Sequence, residues 1–321
     1  MAIRKPGLST DGERFSIVVC FDGSEESHRA LRYAVRIGSG TDADLTLLYV
    51  RPFDQGLRTS GLDLSVVREN ILSWGLDLPG MRVLKEGRDA LVELGWLETD
   101  WEKEHAHAQV RGDPLGDNAI VYSSPSGRSI VLRLLVAKSV ADGVLDECEL
   151  GQYNLCIVGW PPATGGASGV GYITQEVANR IAREHSGTVL VSRFLEESHG
   201  HLVCVSNHEG SILSARMDAE VAARCACPIY LLSVAPSQTK LYSAKRAIAR
   251  ARAAIRDAGL EVSGATTLVG DPVTTIIEEG KKYSVIVMSR FRRRTGWRQF
   301  FSNSIAFKVL AKAKNSVMIV R

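Results

Sequence analysis

Short, continuous apolar runs recur along the chain, separated by stretches with helical spacing. In the first half they are Ser16 to Cys20, Asp44 to Val50, Ser129 to Ala137, Asn154 to Gly159 and Thr188 to Arg193. In the second they are His201 to Val205, Pro228 to Val234, Ser284 to Ser289 and Ser316 to Arg321. Runs this short and this rich in Val, Ile and Leu predict strands buried on both faces. A parallel sheet between two layers of helices has such strands.

The segments between the runs carry helix signals. Ser24-Glu25-Glu26 predicts an N-cap with acidic residues in the first turn, where the helix dipole favours negative charge. Ser243 to Ala258 is rich in Ala, Arg and Lys and stops at Gly259, a residue suited to a helix C-terminus. Strands alternating with helices in this way argue for βαβ units.

The pattern repeats with a period of about half the chain. Both halves open with strand, turn, helix and strand, and the second strand ends in Arg51-Pro52 or Ala235-Pro236. Both close with a strand, a loop, a helix and a last apolar strand. The boundaries that follow are 1–196 for a first domain and 200–321 for a second, with the polar Glu196 to Gly200 as linker. The first half is longer because of an insert at about 53–128. There the sequence predicts a helix from Met81 to Leu97, with Val83, Leu84, Leu91, Leu94 and Leu97 apolar. It also predicts a hairpin over Asn118 to Ala137 that turns at Ser124-Pro125-Ser126-Gly127. In that register Ser129 to Ala137 is the third strand of the sheet. A rival register uses His105 to Arg111 followed by Gly112-Asp113-Pro114, which parallels Gly270-Asp271-Pro272.

Composition narrows the class. With 321 residues, 45% apolar and 23% charged, the chain is of ordinary globular make-up, and its length fits two domains. A net charge of +3 gives no global field that calls for nucleic acid or a membrane. The N-terminus has no apolar leader, and no run is long enough to span a bilayer, so the expectation is a cytoplasmic protein without a membrane partner. Among the six cysteines, Cys20, Cys156 and Cys204 sit in strand runs as small core residues. Cys225 and Cys227 form a C-x-C before Pro228 that reads as core, with a metal or redox site as the alternative.

Two copies of strand, turn and helix, closing with strand, loop, helix and strand, the first with Asp22-Gly23-Ser24 and a Leu-x-Ile-Val-Gly ending at Gly159, resemble a tandem universal stress protein. Asp22-Gly23-Ser24, Gly270-Asp271-Pro272 and Ser284 to Arg321 carry the likeness best. The resemblance implies an α/β fold of two tandem flavodoxin-like or HUP-type domains. Each would be a mainly parallel five-stranded sheet with helices on both faces, packed as an intramolecular pseudo-dimer. It also implies that the last strands of the two copies pair. An apolar edge such as Val189 to Val191 or Val317 to Val320 is an aggregation hazard that such pairing removes. Further dimerisation stays open.

In the ATP-binding branch of the family, an Asp after strand one faces the adenine, and a glycine-rich loop holds ribose and phosphates. Glycines let backbone N–H groups approach phosphate oxygens, and a helix N-terminus adds positive potential. The resemblance places Asp22, Gly23, Ser24, Val50, Gly159, Gly165, Gly166, Gly169, Gly171 and Thr174 in such a site. Pro162 and Tyr172 depart from the pattern. The bland alternative makes Asp22 a turn and capping residue and the glycine run a plain connection. The second copy departs further, with Ser206-Asn207 or Glu209 in the Asp region, Ser289 for the first glycine and Asn303-Ser304 for the last Gly-Ser. Arg290, Arg292, Arg293 and Arg294, with Ser304, make a candidate anion site, because arginine matches phosphate with a planar fork. Phe291 and Trp297 are too few to argue base stacking, so nucleic acid is disfavoured.

His105 and His107 share a strand face and could begin a metal site with Glu104 or Asp113, but surface histidines are the expectation and no metal is assigned. Trp74, Trp96 and Trp101 are expected to pack the insert against the sheet. No catalytic constellation stands out. The functional expectation is a stress-response regulator that binds ATP or another adenine nucleotide, with or without Mg, in domain 1. It would act through conformation or an unidentified protein partner. A nucleotide-independent scaffold and a slow ATP hydrolase are the rivals.

Overall fold

The computed structural model describes residues 14–39, 43–53, 80–110, 113–162, 172–193, 200–290 and 304–321. Two compact units divide the chain at His185/Ser186.

The first unit runs β1 (Ser16–Cys20), α1 (Glu25–Ser39), β2 (Asp44–Pro52), α2 (Met81–Glu93), β3 (Glu102–Val110), β4 (Asp113–Ser123), β5 (Ser129–Ala137), α3 (Val140–Gly151), β6 (Leu155–Gly159) and α4 (Gln175–Glu184). The strand order is β6-β1-β2-β5-β4-β3. β1 lies parallel to β2 and β6, and β2 lies parallel to β5. Every residue of β1 and β6 is buried, as the unbroken apolar runs require. Helix α1 packs on α2, and α3 on α4, which gives the two layers of a doubly wound sheet. Ser24 caps α1 through Oγ, which accepts from the Ser27 N–H at 3.2 Å.

The hairpin register is the observed one: β5 is Ser129–Ala137, beside β2 and antiparallel to β4. Residues 53–128 therefore contain an ordinary crossover helix, α2, and an addition. The addition is β3 and β4, which extend the sheet antiparallel beyond β5. The first unit thus holds four of its five expected strands with β3 and β4 added, and the fifth, Thr188–Ser192, falls beyond the division at His185/Ser186. Of the segment 105–111, expected as a strand only in the rival register, residues 105–110 belong to β3 at the outer edge, and Arg111 lies outside the described residues. The segment reads poorly from sequence because β3 is exposed along most of its length and its one half-buried face is short and mostly alanine, Ala106, Ala108 and Val110. Helix α2 ends at Glu93, short of Leu97, as the chain turns through Gly95 at φ +68°.

The second unit runs β7 (Thr188–Ser192), β8 (His201–Cys204), α5 (Glu209–Arg224), β9 (Ile229–Ala235), α6 (Leu241–Asp257), β10 (Gly264–Val269), α7 (Pro272–Gly280), β11 (Val285–Ser289), α8 (Ile305–Lys312) and β12 (Ser316–Val320). The order β10-β9-β8-β11-β12 is parallel throughout. β7 joins β12 antiparallel, with Val189 opposite Ile319 and Val191 opposite Val317. The pairing implied for the last strands is thus present. Arg193, just past β7, ties it further. Its backbone N–H donates to Ser316 Oγ at 2.9 Å, and its guanidinium donates to the carbonyls of Ala313 and Leu310 at the end of α8. These are carbonyls that a helix C-terminus leaves without intrahelical partners.

Trp96 lies beside Gly38 of α1, a helix, where packing on the sheet was expected. Trp96 and Trp101 are buried and hold the Arg128 guanidinium between them, at 4.8 and 4.7 Å from the two rings. Trp74 lies outside the described residues.

Candidate functional site

In open α/β sheets, ligands bind beyond the carboxyl ends of the strands. In the first unit that end is formed by the β1–α1 turn, the end of β2, the end of β6 and the start of α4. Asp22 is the centre of this arrangement. Its Oδ1 accepts from Ser24 N–H at 3.0 Å and from Ser24 Oγ at 2.5 Å. Its Oδ2 accepts from the Ile173 N–H at 2.9 Å. The carboxylate therefore joins the first turn of the fold to the segment that enters α4. An ionised carboxylate offers about four acceptor positions. The three bonds present leave room for one further donor.

The neighbouring residues have definite tasks. Gly23 has φ +81°, and a Cβ there would lie 3.2 Å from Val83 of α2. Gly159 abuts the first turn of α1, where a Cβ would come within 2.9 Å of the Glu26 Cβ and 3.0 Å of the Glu26 carbonyl carbon. That glycine is required by close packing of β6 against α1, whatever the ligand. Val50 is buried against Gly143 of α3. Thr174 caps α4, its Oγ1 accepting from the Val177 N–H at 3.2 Å. Tyr49 lies near Tyr172 and Asp22; burial, then these two groups, push its hydroxyl pKa up, against the smaller pull of Arg51. Asp22, Gly23, Ser24, Gly159 and Thr174 thus gather around this end of the sheet, whereas Val50 belongs to the packing beneath α3. Gly165, Gly166, Gly169 and Gly171 lie outside the described residues.

The family model for the universal stress proteins matches residues 14–72 and 201–321. The chain belongs to the universal stress protein family. A universal stress protein structure from Archaeoglobus fulgidus has 12% identity to it and a TM-score of 0.61, with 95% of this chain and 98% of that one covered. A Pseudomonas aeruginosa UCBPP-PA14 chain described as of the same family has 16% identity and a TM-score of 0.57, covering 95% and 92%. The Archaeoglobus fulgidus universal stress protein in complex with dAMP has 22% identity, covers 38% of this chain and 97% of its own, and has a TM-score of 0.32. No match was found among curated protein sequences.

The fold repeats in the second unit, but the end of its sheet is built differently. Ser206 N–H donates to Ser211 Oγ at 3.0 Å, where the first unit has its Asp22–Ser24 turn. Arg250 of α6 reaches into this turn, donating to Asn207 Oδ1 at 2.9 Å and to Glu209. A guanidinium thus takes up the two groups considered as stand-ins for the aspartate. Sequence reasoning missed Arg250 because it is one cation among several on α6. Its signal is positional: unlike Lys245 and Arg252, it bonds the turn. Arg290 donates its backbone N–H to Val320 O, and Ser304 is the N-cap residue of α8 without a side-chain cap bond. Arg292, Arg293 and Arg294 lie outside the described residues.

The histidine pair reads as surface. His105 and His107 are exposed on β3, and His107 Nδ1 contacts the Asp117 carbonyl at 2.9 Å. Asp113, once a possible helper, is buried and pairs with Arg51 at 2.5 Å. No described helix is long and apolar enough to cross a membrane.

Proposed function

We propose that this universal stress protein is a stress-response regulator. Domain 1, residues 1–196, holds ATP or another adenine nucleotide, with or without Mg, at the end of β1, β2 and β6. Domain 2, residues 200–321, is a pseudo-copy. The observation that supports this reading is the Asp22 carboxylate, buried and bonded to both segments that would enclose the ligand. An adenine amino group presented to Asp22 competes with, or adds to, the Ile173 N–H. Either way the start of α4 feels occupancy. Helix α4 passes that on through Arg180, which donates to Asp142 of α3 at 2.6 Å. Occupancy thus biases a packed helix layer, and the output is a conformation or a partner surface rather than turnover.

A second reading, a nucleotide-independent scaffold, is favoured by the same carboxylate being already satisfied within the chain. Mass spectrometry of small molecules released on denaturing the purified chain separates the two. The regulator is expected to release an adenine nucleotide near one equivalent; a protein that releases none, and gains none after incubation with Mg-ATP, is the scaffold.

A further inference from the structure

The N-terminal ends of β8 and β9, at the other end of these strands from the Ser206–Ser211 turn, carry a second constellation. His201 is the first residue of β8 and pairs in register with Ile229 of β9. Cys225, Ala226 and Cys227 form the turn between α5 and β9. The donor atoms of His201, Cys225 and Cys227 all lie within 4.8 Å of one another.

The backbone explains the convergence. The Cys227 N–H reaches back to the Ala222 carbonyl at 2.9 Å, while Ala226 sits in the left-handed region at φ +50°. This is the helix-ending turn usually given to glycine; an alanine there is strained. The turn swings both thiols to one side, 2.7 Å apart. Gly200 lets the next strand approach, since a Cβ there would meet the Pro228 carbonyl oxygen at 2.3 Å. The His201 ring is thereby delivered beside the thiols.

The partner of the ring is as informative. Asp218, two turns up α5, contacts His201 Nδ1 through Oδ1 at 3.0 Å, and its side chain is fully buried. Its Oδ2 is buried with no hydrogen-bond partner among the described residues. With Nδ1 facing the carboxylate, Nε2 is the nitrogen a metal would take, and Cys227 is among the groups acting on the ring. A carboxylate holding one imidazole nitrogen so that the other faces a metal is the common outer-shell support of histidine ligands. Two sulfurs and one imidazole select zinc or another thiophilic cation over magnesium or calcium.

We propose that His201, Cys225 and Cys227 bind a thiophilic divalent cation, Zn²⁺ above all, with Asp218 as the positioning residue. Two thiolates on one tetrahedral zinc stand about 3.7 Å apart, from bonds of about 2.3 Å. The thiol pair opens by roughly 1 Å to receive it, which the half-buried Cys227 permits. Each thiol gives up its proton to solvent as its sulfur takes the metal, and Nε2 binds through its lone pair, so loading releases at least two protons. Three protein ligands leave a fourth position, open on the Cys227 side to water or an incoming group.

The full-length chain, reduced and kept anaerobic, is titrated with Co²⁺ and then with Zn²⁺. The expected result is a thiolate-to-cobalt charge-transfer absorption that saturates at one equivalent and is bleached by Zn²⁺. It is lost in C225S/C227S, and Zn²⁺ raises the melting temperature of the wild type but not of this variant. Asp218→Asn keeps both thiolates but binds about 10–100-fold more weakly. Circular dichroism checks that each variant is folded, and the single variant Cys227→Ser, at the more exposed position, replaces the double one if that fails to fold. Absence of the absorption, its persistence in the cysteine variants, or a Cys225–Cys227 disulfide that re-forms while the reduced chain takes up no cobalt would each overturn the proposal.

Discussion

Asp22 and Ile173 are 151 positions apart, and the carboxylate of one accepts the backbone N–H of the other at 2.9 Å. The bond closes the start of the fold onto the segment that enters α4. Breaking it leaves a buried N–H without its acceptor, a cost of about 1–3 kcal/mol. Asp22→Asn keeps an oxygen for Ser24 but turns an amide donor toward Ile173. The expected outcome is a loss of about 1–3 kcal/mol in urea unfolding, with amide exchange near Ile173 accelerated before global unfolding. An exchange rate at Ile173 equal to wild type would remove this bond from the account.

Arg51 and Asp113 form a nearly fully buried ion pair, with Asp113 Oδ1 also accepting from the Leu115 and Gly116 N–H groups. It anchors the added β4 to β2. Removing one partner strands a charge, so Asp113→Ala or Arg51→Ala is expected to cost about 3–5 kcal/mol. Replacing both by apolar residues of similar volume should recover much of that loss. A double-mutant cycle in denaturant measures both.

Gly38 shows why the insert is seated so closely. A Cβ there would lie 2.4 Å from Trp96 Cζ2, and Trp96 is itself held under Arg128. The ring is buried, so any withdrawal disturbs its own packing. Gly38→Ala, harmless on helix propensity alone, is expected to destabilise by about 1–3 kcal/mol through overpacking. A melting temperature equal to or above wild type would contradict this.

Asp142 joins α3 to α4 near the surface. The Ser139 hydroxyl first, then Arg180, hold its carboxyl below the usual value of 3.8. A depressed carboxyl contributes stability above its unfolded value and loses it as pH falls through the folded one. The stability gap between wild type and Asp142→Asn should therefore be present at neutral pH, begin to close below pH 3.8, and vanish at lower pH. Unfolding midpoints across that range read it; a gap unchanged by acid would assign the effect to something other than this charge.

The parallel strands and their helices were legible in the sequence, because strands covered on both faces must be apolar at every position, as Ile17 to Cys20 and Leu155 to Val158 are. The β5 register was legible from the turn at Ser124 to Gly127. Strand β3 was hidden because its half-buried face is only Ala106, Ala108 and Val110, too small a signal, and Glu102 to His105 could equally be a loop. The role of Asp22 was half legible. Its type and place were visible, but its bond to Ile173 belongs to tertiary structure. His201 was invisible as a ligand because the residues that complete its site follow one whole helix later.

Calorimetric titration of the full-length chain with Mg-ATP, alongside Asp22→Ala and Gly171→Trp, tests the central claim most directly. Nucleotide already bound is stripped and quantified first, and circular dichroism confirms that the variants are folded. The account predicts binding near one equivalent in the wild type and its loss in both folded variants. Wild-type affinity in Asp22→Ala, or no heat and no released nucleotide from the wild type, would contradict it.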